Sequence, residues 1–148
     1  MVSVFDVARS VLERTGPISS MKLQKLVYYV QAWSLVWDER PMFRERIEAW
    51  ASGPVVPELY AHHRGRFTIS EKDIPGDPHD LDQDALETIE AVAEFYGNKT
   101  AQWLSDLTHS EAPWRDARKG LPDGARGQEE ITLAAMHEYY SSLGPDGE

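Results

Sequence analysis

The 148-residue sequence contains no cysteine, which excludes a disulfide framework, a thiolate metal site and a cysteine nucleophile. It also lacks any run approaching the roughly 20 apolar residues that cross a bilayer, so no membrane partner is expected. The opening Met1-Val2-Ser3-Val4-Phe5-Asp6 has no basic segment ahead of an apolar one. No signal peptide is read there, and the cytoplasm is the expected compartment. The compact motifs of enzymes are missing as well: there is no G-x-S-x-G, no phosphate-binding glycine loop, no dinucleotide fingerprint and no H-E-x-x-H. Gly120, Gly124 and Gly127 share one stretch, but no strong strand precedes them and no Lys-Ser follows. They read as a flexible connection.

Histidine is also sparse. His62 and His63 are adjacent and point about 100° apart on a helix, so they do not share a metal as an i, i+4 pair would. His62 has that spacing to Glu58, with no third ligand in reach. His63 reads as packed on a surface helix. His109 sits between two predicted helices, where it caps or bonds Glu111 locally, and it lacks a nucleophile to serve as general base. The expectation is a protein that is not an enzyme, with no catalytic residues, no cofactor and no metal.

What is present in excess is acid. The net charge is −10. Residues 1–70 carry 9 Lys and Arg against 7 Asp and Glu, whereas residues 71–148 carry 6 against 18. That balance argues against bulk affinity for nucleic acid or anionic membranes, and it suits either solubility or a basic partner.

The elements read as mostly helical. Ser3 and Asp6 stand at capping-box spacing ahead of Val4, Val7, Ala8, Val11 and Leu12, predicting a helix to about Arg14. Ser19 or Ser20 opens the strongest helix, with Leu23, Leu26, Val27, Val30, Trp33 and Trp37 at helical spacing. From Leu26 it is apolar nearly all round, which marks a central helix. Lys22 and Lys25 occupy its start, the unfavourable end for cations, where they are either solvated or answer carboxylates elsewhere. Residues 71–84 are acidic and broken by Pro75, Gly76 and Pro78, so a mobile surface loop is expected. Ala85 to Tyr96 is the next helix, and Gly97 ends it. Thr100 caps a helix with Trp103, Leu104 and Leu107, and Pro113 starts a short one to Arg118. Leu121 to Gln128 is a loop. Thr132 opens the last helix, with Leu133, Met136, Tyr140 and Leu143 inward, and Gly144-Pro145 ends it before a frayed tail. The fold class is therefore mainly α: one compact domain over residues 1–148, six to seven helices and at most a small two-stranded element.

The segment from Ile47 to Tyr60 changes character most. Ile47, Ala49 and Ala51 alternate with Glu48 and Trp50, a period that suits an extended segment. Gly53-Pro54 stops it, and Pro57 with Glu58 begins a helix. Phe67-Thr68-Ile69 is a brief strand that pairs with Ile47–Ala51. The side carrying Ile47, Ala49 and Val55 packs on the central helix, and the side carrying Glu48, Trp50 and Pro54 faces a partner. Of the five tryptophans, Trp33 and Trp103 read as core and Trp114 as an anchor. A helix-turn-helix outline exists over Thr100 to Lys119, with Arg115, Arg118 and Lys119 on the second helix. Pro113 and Trp114 occupy the positions that would reach base edges, so nucleic acid is an unfavoured partner.

Three blocks together resemble one family. They are Lys22-Leu23-Gln24-Lys25-Leu26-Val27-Tyr28-Tyr29-Val30-Gln31-Ala32-Trp33, then Ile47-Glu48-Ala49-Trp50 with Gly53-Pro54-Val55-Val56-Pro57-Glu58-Leu59-Tyr60, then Leu107-Thr108-His109-Ser110-Glu111-Ala112-Pro113-Trp114. In that order they resemble the Panacea domain of the SocA-like antitoxins, also met as phage-associated proteins. The resemblance implies an antitoxin that neutralises a cognate toxin protein, encoded beside it, by direct contact. It also implies one alternative, a proteolytic adaptor that delivers a toxin to ClpXP, and a setting in phage defence; the helix-turn-helix outline leaves a DNA-binding regulator as the other alternative. The candidate toxin-binding residues are Glu48, Trp50, Gly53, Pro54, Val55, Tyr60, His109 and Trp114.

Overall fold

The structure, a computed structural model, describes residues 2–143. Seven α-helices surround one core: α1 (Val4–Thr15), α2 (Ser20–Trp37), α3 (Pro57–His63), α4 (Gln83–Tyr96), α5 (Ala101–Ser110), α6 (Ala112–Ala117) and α7 (Leu133–Ser141). The strands are short: β1 (Ile18–Ser19), β2 (Ile47–Trp50), β3 (Gly53–Val55), β4 (Thr68–Ile69) and β5 (Glu130–Ile131). The mainly α reading holds. The expected stop at Gly144-Pro145 and the tail beyond it lie outside the described residues.

Helix α2 is the hub, because α1, α4, α5 and α7 all pack on it. Every residue from Leu23 to Leu35 is buried. A helix that is apolar all round must be covered on all sides, and this one is. Its few polar side chains are used to hold loops, since a buried polar group needs a partner. Gln31 accepts from the backbone N–H of Met42 at 2.7 Å and donates to Phe43 O at 2.8 Å. Ser34 donates to Arg40 O at 2.8 Å. Gln24 accepts from Val56 N–H at 2.9 Å, and its amide lies 2.8 Å from His63 Nε2. The packed His63 is thus the closure of α3 onto α2.

Local signals behave as their chemistry requires. Ser3 and Asp6 form the capping box of α1, Ser19 caps α2, and Thr100 and Thr132 cap α5 and α7. Pro57 and Pro113 sit in first turns, where their missing N–H groups cost nothing.

Five expectations need correction. The strand at Thr68–Ile69 pairs with Ile18–Ser19, not with β2. β2 instead lies between β3 and β5 in a three-stranded antiparallel sheet. Gly53-Pro54 does not merely end the extended segment: the chain reverses at Ala51–Ser52, and Gly53–Val55 returns as β3 with Gly53 opposite Trp50. The 71–84 stretch is docked, because Ile74 and Leu81 are buried and Asp77 N–H donates to Asp6 Oδ1 at 2.7 Å. Trp103 is not core. It stands 41% exposed beside Lys99, whose ammonium lies 4.9 Å from its ring, and Leu133 likewise faces outward.

Candidate functional site

The three blocks that carry the family resemblance meet at one place, the hairpin turn between β2 and β3. From α2 comes Lys25, from the turn Gly53, and from α5 Thr108 and His109. Gly53 adopts φ +121°, a region that side chains rarely occupy, and a Cβ there would lie 2.6 Å from Lys25 Cε, 3.0 Å from Nζ and 3.4 Å from Thr108 Oγ1. Glycine is required for the backbone conformation, and any side chain here would also displace the end of Lys25.

Lys25 is 1% exposed and its Nζ has no hydrogen-bond partner. Neither of the two readings left open for it holds: it is not solvated, and it forms no ion pair among the described residues. Burial alone pushes its pKa down to about 8. Lys22, by contrast, donates to Gly97 O at 2.6 Å and so closes the end of α4. His109 is half-buried, and its ring stacks on Trp114 at 4.0 Å between centroids. Its Nε2 is also buried without a partner. Burial first, and the nearby Lys25 charge second, hold its pKa below the ordinary histidine range. The expected bond from His109 to Glu111 is absent, because Glu111 turns inward to accept from Tyr29 and Tyr140 hydroxyls, each at 2.7 Å.

The hairpin is held from behind by side chains of α6 and its C-terminal end. Trp114, 2% exposed, donates from its indole N–H to Trp50 O at 2.8 Å. Arg118 donates to Ala49 O at 3.0 Å and to Pro122 O at 2.9 Å, and its guanidinium stacks over the Trp114 ring at 4.9 Å. Arg118 is therefore an internal clamp between β2 and the 121–129 loop, not a group presented to a nucleic acid. That removes it from the helix-turn-helix reading.

On the outer side, Trp50 is half-buried. Its indole N–H donates to Glu48 Oε1 at 2.8 Å, and its ring meets Tyr60 edge-on at 5.0 Å. Arg46 binds the other Glu48 oxygen at 3.1 Å. Glu48, Trp50, Tyr60 and His109 are the candidate residues with accessible surface. Gly53, Pro54, Val55 and Trp114 are buried and shape the turn from within; Pro54 does not share the free side with Glu48 and Trp50. Beside the turn lies an open cavity of about 720 Å³, lined by Trp50, Ala51, Ser52, Leu121, Arg126 and Glu129 among others. Among the described residues no group of three or more His, Asp or Glu side chains is placed to hold a metal ion.

Sequence reasoning missed Lys25, Thr108 and Arg118 as parts of this site. A lysine inside the most apolar helix was the available signal for Lys25. Nothing in the sequence pointed to Arg118, because its acceptors are loop carbonyls.

The family model described as "Antitoxin SocA-like, Panacea domain" matches residues 23–115, a span that holds Lys25, the hairpin, His109 and Trp114. Among curated proteins, Antitoxin SocA of Caulobacter vibrioides (strain NA1000 / CB15N) is 36% identical over 110 residues. The match covers 66% of this chain and spans 58% of that protein's length. No solved structure matches the chain.

Proposed function

The chain belongs to the SocA-like, Panacea-domain antitoxin family, and from that premise we propose that it is an antitoxin which neutralises a cognate protein toxin by direct binding. The observation that carries this reading is the β2–β3 hairpin. An aromatic and a carboxylate, Trp50 and Glu48, are fixed to each other and to Tyr60 on the outside. Trp114 and Arg118 fix the same strand from behind. A surface that is already ordered loses less entropy on binding, so its contacts convert more fully into affinity. Tryptophan beside an open cavity suits an anchoring contact, and the acid surplus of residues 71–148 suits encounter with a basic partner.

The toxin is the product of the adjacent gene on this reading, and the compartment is the cytoplasm. Expressing that gene alone should arrest growth, and co-expressing this protein should restore it with a stable complex recovered. A neighbour that is harmless alone, or still toxic in the presence of this protein, refutes the reading for that pair. A complex whose toxin component disappears over time only when ClpXP is present would replace neutralisation by binding with delivery for proteolysis.

A further inference from the structure

We propose that Lys25 and His109, beneath the Gly53 turn, form a carboxylate-receiving site whose occupant is an acidic side chain of the protein partner. The inference rests on the antitoxin reading for the identity of that partner. It does not rest on it for the chemistry of the site.

Five buried side-chain atoms among the described residues have no hydrogen-bond partner, and three of them are Lys25 Nζ, His109 Nε2 and Arg118 Nε. His109 and Arg118 both lie against the Trp114 ring, and Lys25 and Thr108 both lie against Gly53. All three unsatisfied atoms can be donors, and each leaves a cost that an acceptor would remove. Asp106 and Asp123 act on His109 only at a distance, and they are countered there by Lys25 and Arg118. The charge at these donors is carried by Lys25, whose buried ammonium has no partner, and the group that answers it is an oxyanion. Thr108 does not serve, because its hydroxyl already donates to Ser105 O at 2.9 Å.

Nζ is closed to solvent, so the site is latent and the turn above it must shift to admit an oxygen. The turn is built for that. Side chains clamp the carbonyls of Ala49 and Trp50, whereas Ala51, Ser52 and Gly53 receive no side-chain hydrogen bond among the described residues. Gly53 has no side chain to clear. His109 is half-buried as a residue, but its Nε2 is as closed as Lys25 Nζ, so both donors are reached only when the turn shifts. A buried charge without a counter-ion destabilises the free protein, and a partner that supplies the counter-ion recovers that loss on binding. Lysine at position 25 is then explained by the complex and not by the fold.

The test has two arms, run on the full chain. In the first, sodium acetate is titrated against sodium chloride at equal ionic strength, while the ε-carbon resonance of Lys25 and the thermal midpoint are followed. A Lys25 shift and a rising midpoint with acetate alone are expected, both absent in Lys25→Met. In the second, the neighbouring gene's product is titrated into the wild type and Lys25→Met by calorimetry. The variant should bind at least about 30-fold more weakly while melting no lower than the wild type. His109→Phe keeps the stack on Trp114 and removes Nε2, and it should weaken binding in the same direction. Acetate binding with unchanged toxin affinity would assign the site to a small free carboxylate and overturn the protein occupant. A Lys25 resonance blind to acetate, with toxin affinity unchanged in Lys25→Met, overturns the site altogether. If the neighbour proves not to be a toxin, the antitoxin reading fails, and the acetate arm alone still decides the site.

Discussion

Raising the pH from 7.5 to 10 should stabilise this protein, against the usual trend. Lys25 has an ordinary value of 10.5 that burial lowers to about 8 in the folded chain. Between those values the unfolded chain holds the proton and the native chain does not. Unfolding therefore takes up a proton, and stability rises with pH. A full unit is worth about 1.4 kcal/mol, and with the native group half titrated at pH 8 the climb from pH 8 to pH 10 contributes roughly 2 kcal/mol. Above pH 10 the sign reverses. Tyr28, Tyr29 and Tyr140 are held above their ordinary range, first by burial. In that range the unfolded tyrosines ionise while the native ones stay protonated, and stability falls. The curve should thus climb from pH 8, peak near pH 10 and drop steeply beyond. Urea denaturation at half-unit pH steps would trace it, with Lys25→Met as the control that should flatten the climb and leave the drop. A wild-type curve flat between pH 8 and 10, or a climb that survives in Lys25→Met, refutes the reasoning.

Four single substitutions and one double variant probe the rest of the molecule. Gly53→Ala should destabilise by about 2 kcal/mol or more by chemical denaturation, since it combines a strained φ with the 2.6 Å approach to Lys25 Cε. Adding Lys25→Ala should recover only the steric part. Arg118→Ala strips the Ala49, Pro122 and Ala125 carbonyls of a donor, so limited proteolysis should cut within 121–129 far faster than in the wild type. Glu111→Ala leaves the Tyr29 and Tyr140 hydroxyls without their shared acceptor and should cost about 2–3 kcal/mol by denaturant midpoint. Trp50→Ala should weaken toxin binding by about 30-fold or more while circular dichroism stays native, and an unfolded variant would show that the indole serves the core instead.

What was legible in the sequence was what is local. The Ser3–Asp6 box, the caps at Ser19, Thr100 and Thr132, and the apolar sweep of α2 each depend on residues within a few positions, and each appears where expected. What was not legible depends on distant partners. Two-residue strands such as Ile18–Ser19 have no period to read, and their pairing with Thr68–Ile69 is decided by how α1 and α2 bring them together. Ile74 and Leu81 are single apolar residues in an acidic stretch, so no pattern announces that they anchor it. Trp103 has the bulk of a core residue, but its face of α5 meets Lys99 and solvent. At the candidate site the Trp50–Glu48 pair followed from alternation. The missing counter-ion of Lys25 did not, because an absence of partners exists only in three dimensions.

The tie between Tyr28 and Tyr140 spans 112 positions at 3.0 Å between hydroxyls, and it fixes when in synthesis the molecule becomes competent. α2 is complete within the first quarter of the chain, yet its covering comes from α4, α5 and finally α7. A nascent chain that ends before Tyr140 has its most apolar helix without a wall and the acceptor Glu111 without one of its donors. Such a chain already packs α1, α4 and α5 against α2, but leaves the face of α2 that meets α7 as exposed apolar surface. Tyr140 thus closes a core that α1, α2 and α4 only begin.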